Sequence, residues 1–365
     1  MSISALHFLV PGSLQQLTGG YLYDARMVDA LFSRGWRIHV HEVSGVFPKG
    51  DFEACRSLIE TLANLPDNAR VLIDGLLLGG LSEQAEHHWR RLRIIVLVHH
   101  PVSEEPGLPN SEKKEFAKLE MGAYKMSIGV IVTSAFTARV LTDAGVDRRM
   151  VRIANPGTDS AELAVGPGDG APPQLLTVAA IIPRKGHDVL VQALYKIRQL
   201  PWSWVCVGSL ERERDFAEKI RKQVVERGIS DRVTFIGECD RQTLDRSYAG
   251  SSIFVLPSYY EGFGMVLTEA ISRGLPVVST DAGAIRHTVP SKASLLVPPG
   301  DADALSEALG SLLDREVGMS GNSRGPGAVR RRRLAAEARR VSDLLPTWRT
   351  AAEKLEVGIL SLAPE

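Results

Sequence analysis

Short apolar runs alternate with longer amphipathic segments along the whole chain. In the first half the runs are Leu6–Val10, Arg37–Val43, Val71–Leu78, Ile94–His99, Val130–Thr133 and Val151–Ile153. Most are near-continuous rather than alternating, the pattern of strands buried on both faces. Segments of helical spacing lie between them, Tyr23–Ser33 and Phe136–Ala144 among them. Strand–helix repetition of this kind predicts a doubly wound parallel sheet, an α/β architecture. The stretch Gly166-Pro-Gly-Asp-Gly-Ala-Pro-Pro173 breaks the pattern, because neither a helix nor a central strand runs through so much Gly and Pro. The alternation then restarts. Strands are expected at Gln174–Ile181, Ser203–Val207, Arg232–Ile236, Ser252–Leu256, Pro276–Thr280 and Ser294–Val297. Helices are expected at Gly186–Arg198, Glu211–Arg227, Arg241–Ala249, Phe263–Arg273 and Asp301–Leu313. The pattern thus predicts a first domain over 1–165, a linker over 166–173 and a second domain of the same class over 174–345. Open parallel sheets bind ligands beyond the C-terminal ends of their strands, so two facing sheets would make a deep cleft. Glu316–Gly327 is glycine-rich and polar and is expected to be mobile. It leads into a long helical pattern ending near Ser361, which Pro346 should kink or split.

Composition narrows the class without changing this picture. At 365 residues two domains are the natural expectation, and 44% hydrophobic with 24% charged residues is ordinary for a soluble globular protein. Lys+Arg and Asp+Glu are equal at 43 each, so bulk charge offers no pull towards nucleic acid or a membrane. Cys55, Cys206 and Cys239 are scattered, with no C-x-x-C pair. That argues against a disulfide framework or a zinc site and fits a reducing cytoplasm. No run approaches the ~18 apolar residues of a membrane span. No basic segment precedes the first apolar run, which reads as a strand rather than a leader. The expectation is a cytoplasmic protein with no transmembrane segment, peripheral contact with a membrane surface being left open.

The densest candidate chemistry is Ser258-Tyr-Tyr-Glu261-Gly262-Phe263-Gly264-Met265-Val-Leu-Thr-Glu269-Ala. An expected strand hands over to an expected helix through a glycine-rich turn. Glycines let the backbone approach a ligand, and a helix start offers free N–H groups and about half a positive charge. This suits a phosphate. A carboxylate on each side, Glu261 and Glu269, suits hydroxyl groups, and phosphate plus hydroxyls points to a nucleotide sugar. A second motif, Pro183-Arg184-Lys185-Gly186-His187, places a cation pair after the first strand of the second domain. Its plain alternative is a solvated charge pair.

Arg232-Val-Thr-Phe-Ile-Gly237, Phe254-Val-Leu-Pro-Ser258, Glu261-Gly-Phe-Gly264, Glu269-Ala270, Gly274-Leu-Pro-Val-Val278 and Leu295-Leu-Val-Pro-Pro-Gly-Asp301 together resemble the C-terminal half of family 4 retaining glycosyltransferases. The resemblance covers Gln174 to Leu313 closely and the first half loosely. It implies the GT-B fold, two Rossmann-like domains around a cleft, and sugar transfer from a nucleoside diphosphate sugar without a bound metal. It assigns Glu261 to hydroxyls of the donor sugar and Glu269 to the ribose. Gly262 and the N–H groups of Phe263, Gly264 and Met265 fall to the sugar and diphosphate. Lys185 matches the family's diphosphate cation, with Arg184 beside it. The arginine that the family usually adds is replaced by Ala180. In the first domain, Thr18-Gly19-Gly20-Tyr21 resembles the family's glycine loop, with an ordinary tight turn as the alternative. Tyr21, Tyr23 and Arg26 would then line the acceptor side. His99 matches a histidine beside the reacting bond, with His100 as the alternative. Asn155-Pro-Gly-Thr-Asp159 resembles a structural loop, and Arg330–Arg333 reads as a solvated helix face. The C-terminal segment 346–365, with Trp348, is expected to cross back onto the first domain. The resemblance implies no further cofactor, a UDP-sugar as first candidate donor, and a small-molecule, glycan or lipid-linked acceptor. A GT-B phosphorylase or epimerase, and a silent nucleotide-sugar-binding partner subunit, are the alternatives.

Overall fold

The apolar runs become strands because each carries β-branched or large apolar residues that pack on both faces of a sheet. In the computed structural model, which describes residues 5–168, 170–314 and 325–364, the first six strands are β1 (Ala5–Pro11), β2 (Arg37–Val43), β3 (Arg70–Asp74), β4 (Arg93–Val98), β5 (Gly129–Val132) and β6 (Val151–Ile153). They form one parallel sheet in the order β2-β1-β3-β4-β5-β6. The next six are β7 (Gln174–Val178), β8 (Ser203–Val207), β9 (Val233–Gly237), β10 (Ile253–Leu256), β11 (Val277–Thr280) and β12 (Ser294–Val297). Their order is β12-β11-β10-β7-β8-β9, again all parallel. The expected strand Val71–Leu78 is cut short. The chain leaves the sheet at Asp74, whose side chain accepts from the Leu76 N–H, and the apolar run continues as a 3-10 turn over Gly75–Gly80.

The chain divides into one unit of Met1–Gly157 with Pro346–Glu365, and a second of Thr158–Leu345. The division falls ahead of the Gly/Pro stretch expected as the linker. The reason is hydrogen bonding: Ala164 N–H donates to Arg273 O, and the N–H groups of Val165 and Gly166 donate to Ala249 O. Backbone paired in this way belongs to the second unit before the glycines are reached. Part of the glycine-rich run expected over 316–327 lies outside the described residues.

Pro346 separates two helices, Pro326–Ser342 and Trp348–Leu362. The second is started by Thr347, whose hydroxyl accepts from the Thr350 N–H. It packs on the helix Gly19–Phe32 and on β5 and β6 of the first unit. Arg34 pairs with Glu353 and Glu356, Trp36 Nε1 donates to Glu356, and Arg26 lies over the Trp348 ring. Among the described residues no helix is long and apolar enough to cross a membrane. The cysteines are free, Cys206 being buried in the second core.

Candidate active site

In each sheet the strand order reverses at one place, and loops at the C-terminal ends of the strands part there. In the second sheet that place lies between β7 and β10. The segment after β7 carries Pro183–Lys185, a 3-10 turn, and opens the helix His187–Lys196. The segment after β10 carries Ser258 to Gly264 and opens the helix Met265–Ser272. Gly264 sits at φ 88°, a backbone conformation that glycine adopts without strain, and caps the helix start. Thr288 Oγ1 donates to Phe263 O, and Ala284 N–H donates to Glu261 O, so the turn is held from outside as well.

The fold therefore brings Lys185, Arg184 and Glu261 together. Lys185 Nζ lies 2.6 Å from Glu261 Oε1, which also accepts from Ser258 Oγ at 2.6 Å. Arg184 Nη1 lies 3.7 Å from Glu261 Oε2 and donates to Tyr260 O at 3.0 Å. Burial alone would push the Glu261 carboxyl up. The charges of Lys185 and Arg184, with the hydrogen bonds from Lys185 and Ser258, outweigh it and hold the group below the usual carboxylate range. Glu261 is thus an ionised, oriented acceptor. Ser258 was not singled out in the sequence, although its place three residues before Glu261 on the same turn is visible there. His187 is a core residue: neither ring nitrogen has a partner among the described residues, and burial, then Lys185, pushes its pKa down to about 3.

Glu269 stands apart from this cluster, on the helix itself. Its carboxyl accepts from the Tyr248 hydroxyl at 3.1 Å, with Arg241, Asp159 and Arg273 nearby. Burial holds its pKa above the usual value against the pull of Arg273 and Tyr248. The two glutamates thus occupy distinct electrostatic surroundings within one unit. The Ala180 carbonyl accepts from the Ile182 N–H, and the next arginine along the chain is Arg184.

In the first unit the reversal lies between β1 and β3. Gly19 and Gly20 form the first turn of the helix after β1, with Thr18 at its cap. A side chain at Gly20 would stand 3.3 Å from the His99 ring, so the glycine admits that ring. His99 follows β4. Its Nε2 lies 2.9 Å from Asp24 Oδ1 and 3.5 Å from Asp74 Oδ2. His100 Nε2 pairs instead with Glu105 Oε2 at 2.7 Å. Tyr21 and Tyr23, expected on the acceptor side, are buried braces: their hydroxyls donate to Pro11 O and Ala154 O, and Tyr23 packs edge-on against His99.

Asp24 and Asp74 are functional candidates that sequence reasoning missed. Asp74 ends an apolar strand at the sheet edge where ligands bind, which was a usable signal. Asp24 is one of two aspartates on its helix, Asp29 being the other, and nothing local marks it. Burial holds Asp24 well above the usual aspartate value. Burial, then repulsion from Asp24, lifts Asp74 to about 7 against the pull of His99 and the Leu76 N–H. Burial lowers His99, opposed by Asp74. One ligand atom from each of the three lies within 4.8 Å of the others, so the group could also hold a cation. A carboxyl with a raised folded pKa contributes stability that is complete below its unfolded value and is lost as pH rises through the folded one. The window is therefore 3.8 to about 7 for Asp74. We expect the wild type to lose stability relative to Asp74→Asn between ~pH 4 and ~pH 7 and to level off above that, read as the difference between their melting temperatures. Parallel pH profiles would contradict the assignment.

Residues 162–338 match the model of the family described as glycosyl transferases group 1. This segment is a group 1 glycosyltransferase domain. The group 1 domain contains Glu261, Glu269, Lys185 and Arg184 and occupies most of the second unit. Over 199 residues the chain is 31% identical to the Mycobacterium tuberculosis (strain CDC 1551 / Oshkosh) protein named GDP-mannose-dependent alpha-(1-6)-phosphatidylinositol monomannoside mannosyltransferase, covering 51% of this chain and 47% of that one. The chain spans about half the length of the curated relatives it matches. Among solved structures, sucrose-phosphate synthase from Thermosynechococcus elongatus superimposes with a TM-score of 0.78 at 21% identity, over 97% of each chain. Anabaena HepE in complex with UDP and glucose gives 0.73 at 17% identity, over 97% of this chain and 98% of that one. The fold around the group 1 domain is GT-B, with two six-stranded parallel sheets.

Proposed function

We propose that the chain is a retaining, metal-independent glycosyltransferase that moves a sugar from a nucleoside diphosphate sugar to an acceptor hydroxyl. The observation that carries this is the Lys185–Glu261–Ser258 cluster at the strand-order reversal of the group 1 domain, beside a helix start. An ionised Glu261 accepts hydrogen bonds from sugar hydroxyls. Lys185 and Arg184 meet the charge that develops on the departing diphosphate, the role a divalent ion plays elsewhere. Arg184 supplies the second cation that Ala180 lacks. Glu269 takes the ribose hydroxyls. The leaving phosphate oxygen takes the acceptor proton in a front-face attack, so no side chain need act as base. The first unit, with His99 as its polar group and His100 beside it in sequence, takes the acceptor. The named relatives favour a nucleotide-sugar donor: GDP-mannose appears in the name of one, and HepE was solved with UDP and glucose. Between a UDP-sugar and a GDP-sugar the donor panel decides. The acceptor class is a small molecule, a glycan or a lipid-linked hydroxyl.

The test is release of nucleoside diphosphate from a panel of UDP-, GDP-, ADP- and TDP-sugars, with and without a chelator, and anomeric configuration read by NMR. We expect release from one donor, retained configuration and no effect of the chelator. Lys185→Ala should lower turnover ~100-fold or more. Inversion, chelator sensitivity or inertness towards every donor would each contradict the reading.

A further inference from the structure

Away from both clusters, three histidines meet on one face of the first sheet. His7 lies on β1 and is the register partner of His39 on β2, and His41 lies two residues further along β2. Alternate residues of a strand share a face, so His39 and His41 project together beside His7. The contacts show it. His7 Nδ1 and His41 Nε2 are 3.0 Å apart. The His7 ring stacks on His39 with centroids 5.0 Å apart, and on His41 at 5.2 Å. His39 is exposed, and His7 and His41 are half-buried.

We propose that His7, His39 and His41 bind one divalent transition-metal ion of the zinc class through three imidazoles, leaving a position for water. Two ring nitrogens on one such ion, each ~2.0–2.1 Å from it, stand a little over 3 Å apart in tetrahedral geometry. The His7–His41 pair is near that separation already. His39 is stacked on His7 as found, and its ligand atom is not converged with the pair, so completing the set requires its exposed ring to turn about its side-chain torsions on ion binding. An all-imidazole donor set selects zinc, copper or nickel over magnesium or calcium, which prefer oxygen. The consequence is mechanical: β2 is an edge strand whose one neighbour in the sheet is β1, and the ion would tie the two together. The site stands whether or not the donor reading does.

The experiment uses untagged, chelator-treated full chain, titrated with Co2+ by visible absorption and with Zn2+ by calorimetry and thermal melting. We expect one ion per chain, tetrahedral Co2+ bands, and a melting temperature that rises with Zn2+. His7→Ala and His41→Ala should each weaken binding by more than ~100-fold, exceeding the roughly 10–100-fold loss typical of an outer-shell partner. His39→Ala, at an exposed position, does the same without threatening the fold. His99→Ala should leave binding intact, which separates this site from the Asp24–Asp74–His99 group. No bound ion, binding that survives all three substitutions, or binding lost in His99→Ala would overturn the proposal.

Discussion

Glu261→Gln is expected to destabilise the second unit by ~3–5 kcal/mol, the range for breaking one partner out of a buried ion pair. The Glu261 side chain is 7% exposed, and those of Lys185 and Arg184 are 16% and 19% exposed. Glutamine keeps the shape and loses the charge. Lys185 is then left at 2.6 Å from a neutral amide, and the Glu261 charge 3.7 Å from Arg184 is gone, so the repulsion between two poorly solvated cations is less offset. Ser258 keeps an acceptor, which is why the loss should be electrostatic rather than one of packing. Lys185→Met in the same chain removes one of the two cations and with it that repulsion. The double variant should therefore be more stable than the sum of the singles, by ~1–3 kcal/mol in a denaturant double-mutant cycle. Turnover should fall ~100-fold or more in the single variant, since the site loses both its sugar acceptor and the orientation of its cation. Additive energies in the cycle, or a Glu261→Gln chain as stable as the wild type, would contradict the pairing.

Gly283→Ala should cost ~2–4 kcal/mol although it touches no ligand. Gly283 sits at φ 58°, where an L-residue pays ~1–2 kcal/mol. A side-chain carbon there would also stand 2.3 Å from Glu261 O and 2.9 Å from Glu261 N. Both are backbone atoms, so the turn that carries Glu261 must move, and overpacking adds ~1–3 kcal/mol. The neighbouring Ala284 N–H bond to Glu261 O, 2.8 Å long, lies on the same path and would be strained with it. Gly228→Ala is the matched control: φ is 63°, with nothing within 4 Å of the added carbon, so it should lose only the backbone component. Denaturant unfolding of the two variants measures the difference. Equal losses would show that the Glu261 turn is not held at Gly283.

Much of the fold was legible because buried parallel strands write themselves as apolar runs. Arg37–Val43, Val151–Ile153, Ser203–Val207 and Ser294–Val297 begin and end where the pattern placed them. The pattern failed where apolar character outlasted the strand. Leu76 to Leu78 are as hydrophobic as β3, and only the Asp74 side chain, accepting from Leu76 N–H, turns the backbone away. The two compact units divide ahead of the expected linker for a related reason. Gly and Pro mark where regular structure stops, whereas the boundary depends on which partner the backbone at Ala164 to Gly166 bonds. Within the candidate site, the Glu261 turn and Lys185 could be read from motif and spacing. Asp24 and Asp74 could not be read as a pair, because they meet only when the helix after β1 packs beside the end of β3.

On the proposed function, the group 1 domain holds a nucleoside diphosphate through the Glu261 and Glu269 segment. A thermal-shift panel of UDP, GDP, ADP and TDP, each with its sugars, tests it most directly. A ligand at ~100 times its dissociation constant adds about 2.7 kcal/mol to the folded state, a readily measured rise in melting temperature. We expect such a rise with one nucleotide series, and a smaller one in a folded Glu269→Ala chain. No shift with any member of the panel, or an undiminished shift in Glu269→Ala, would contradict it.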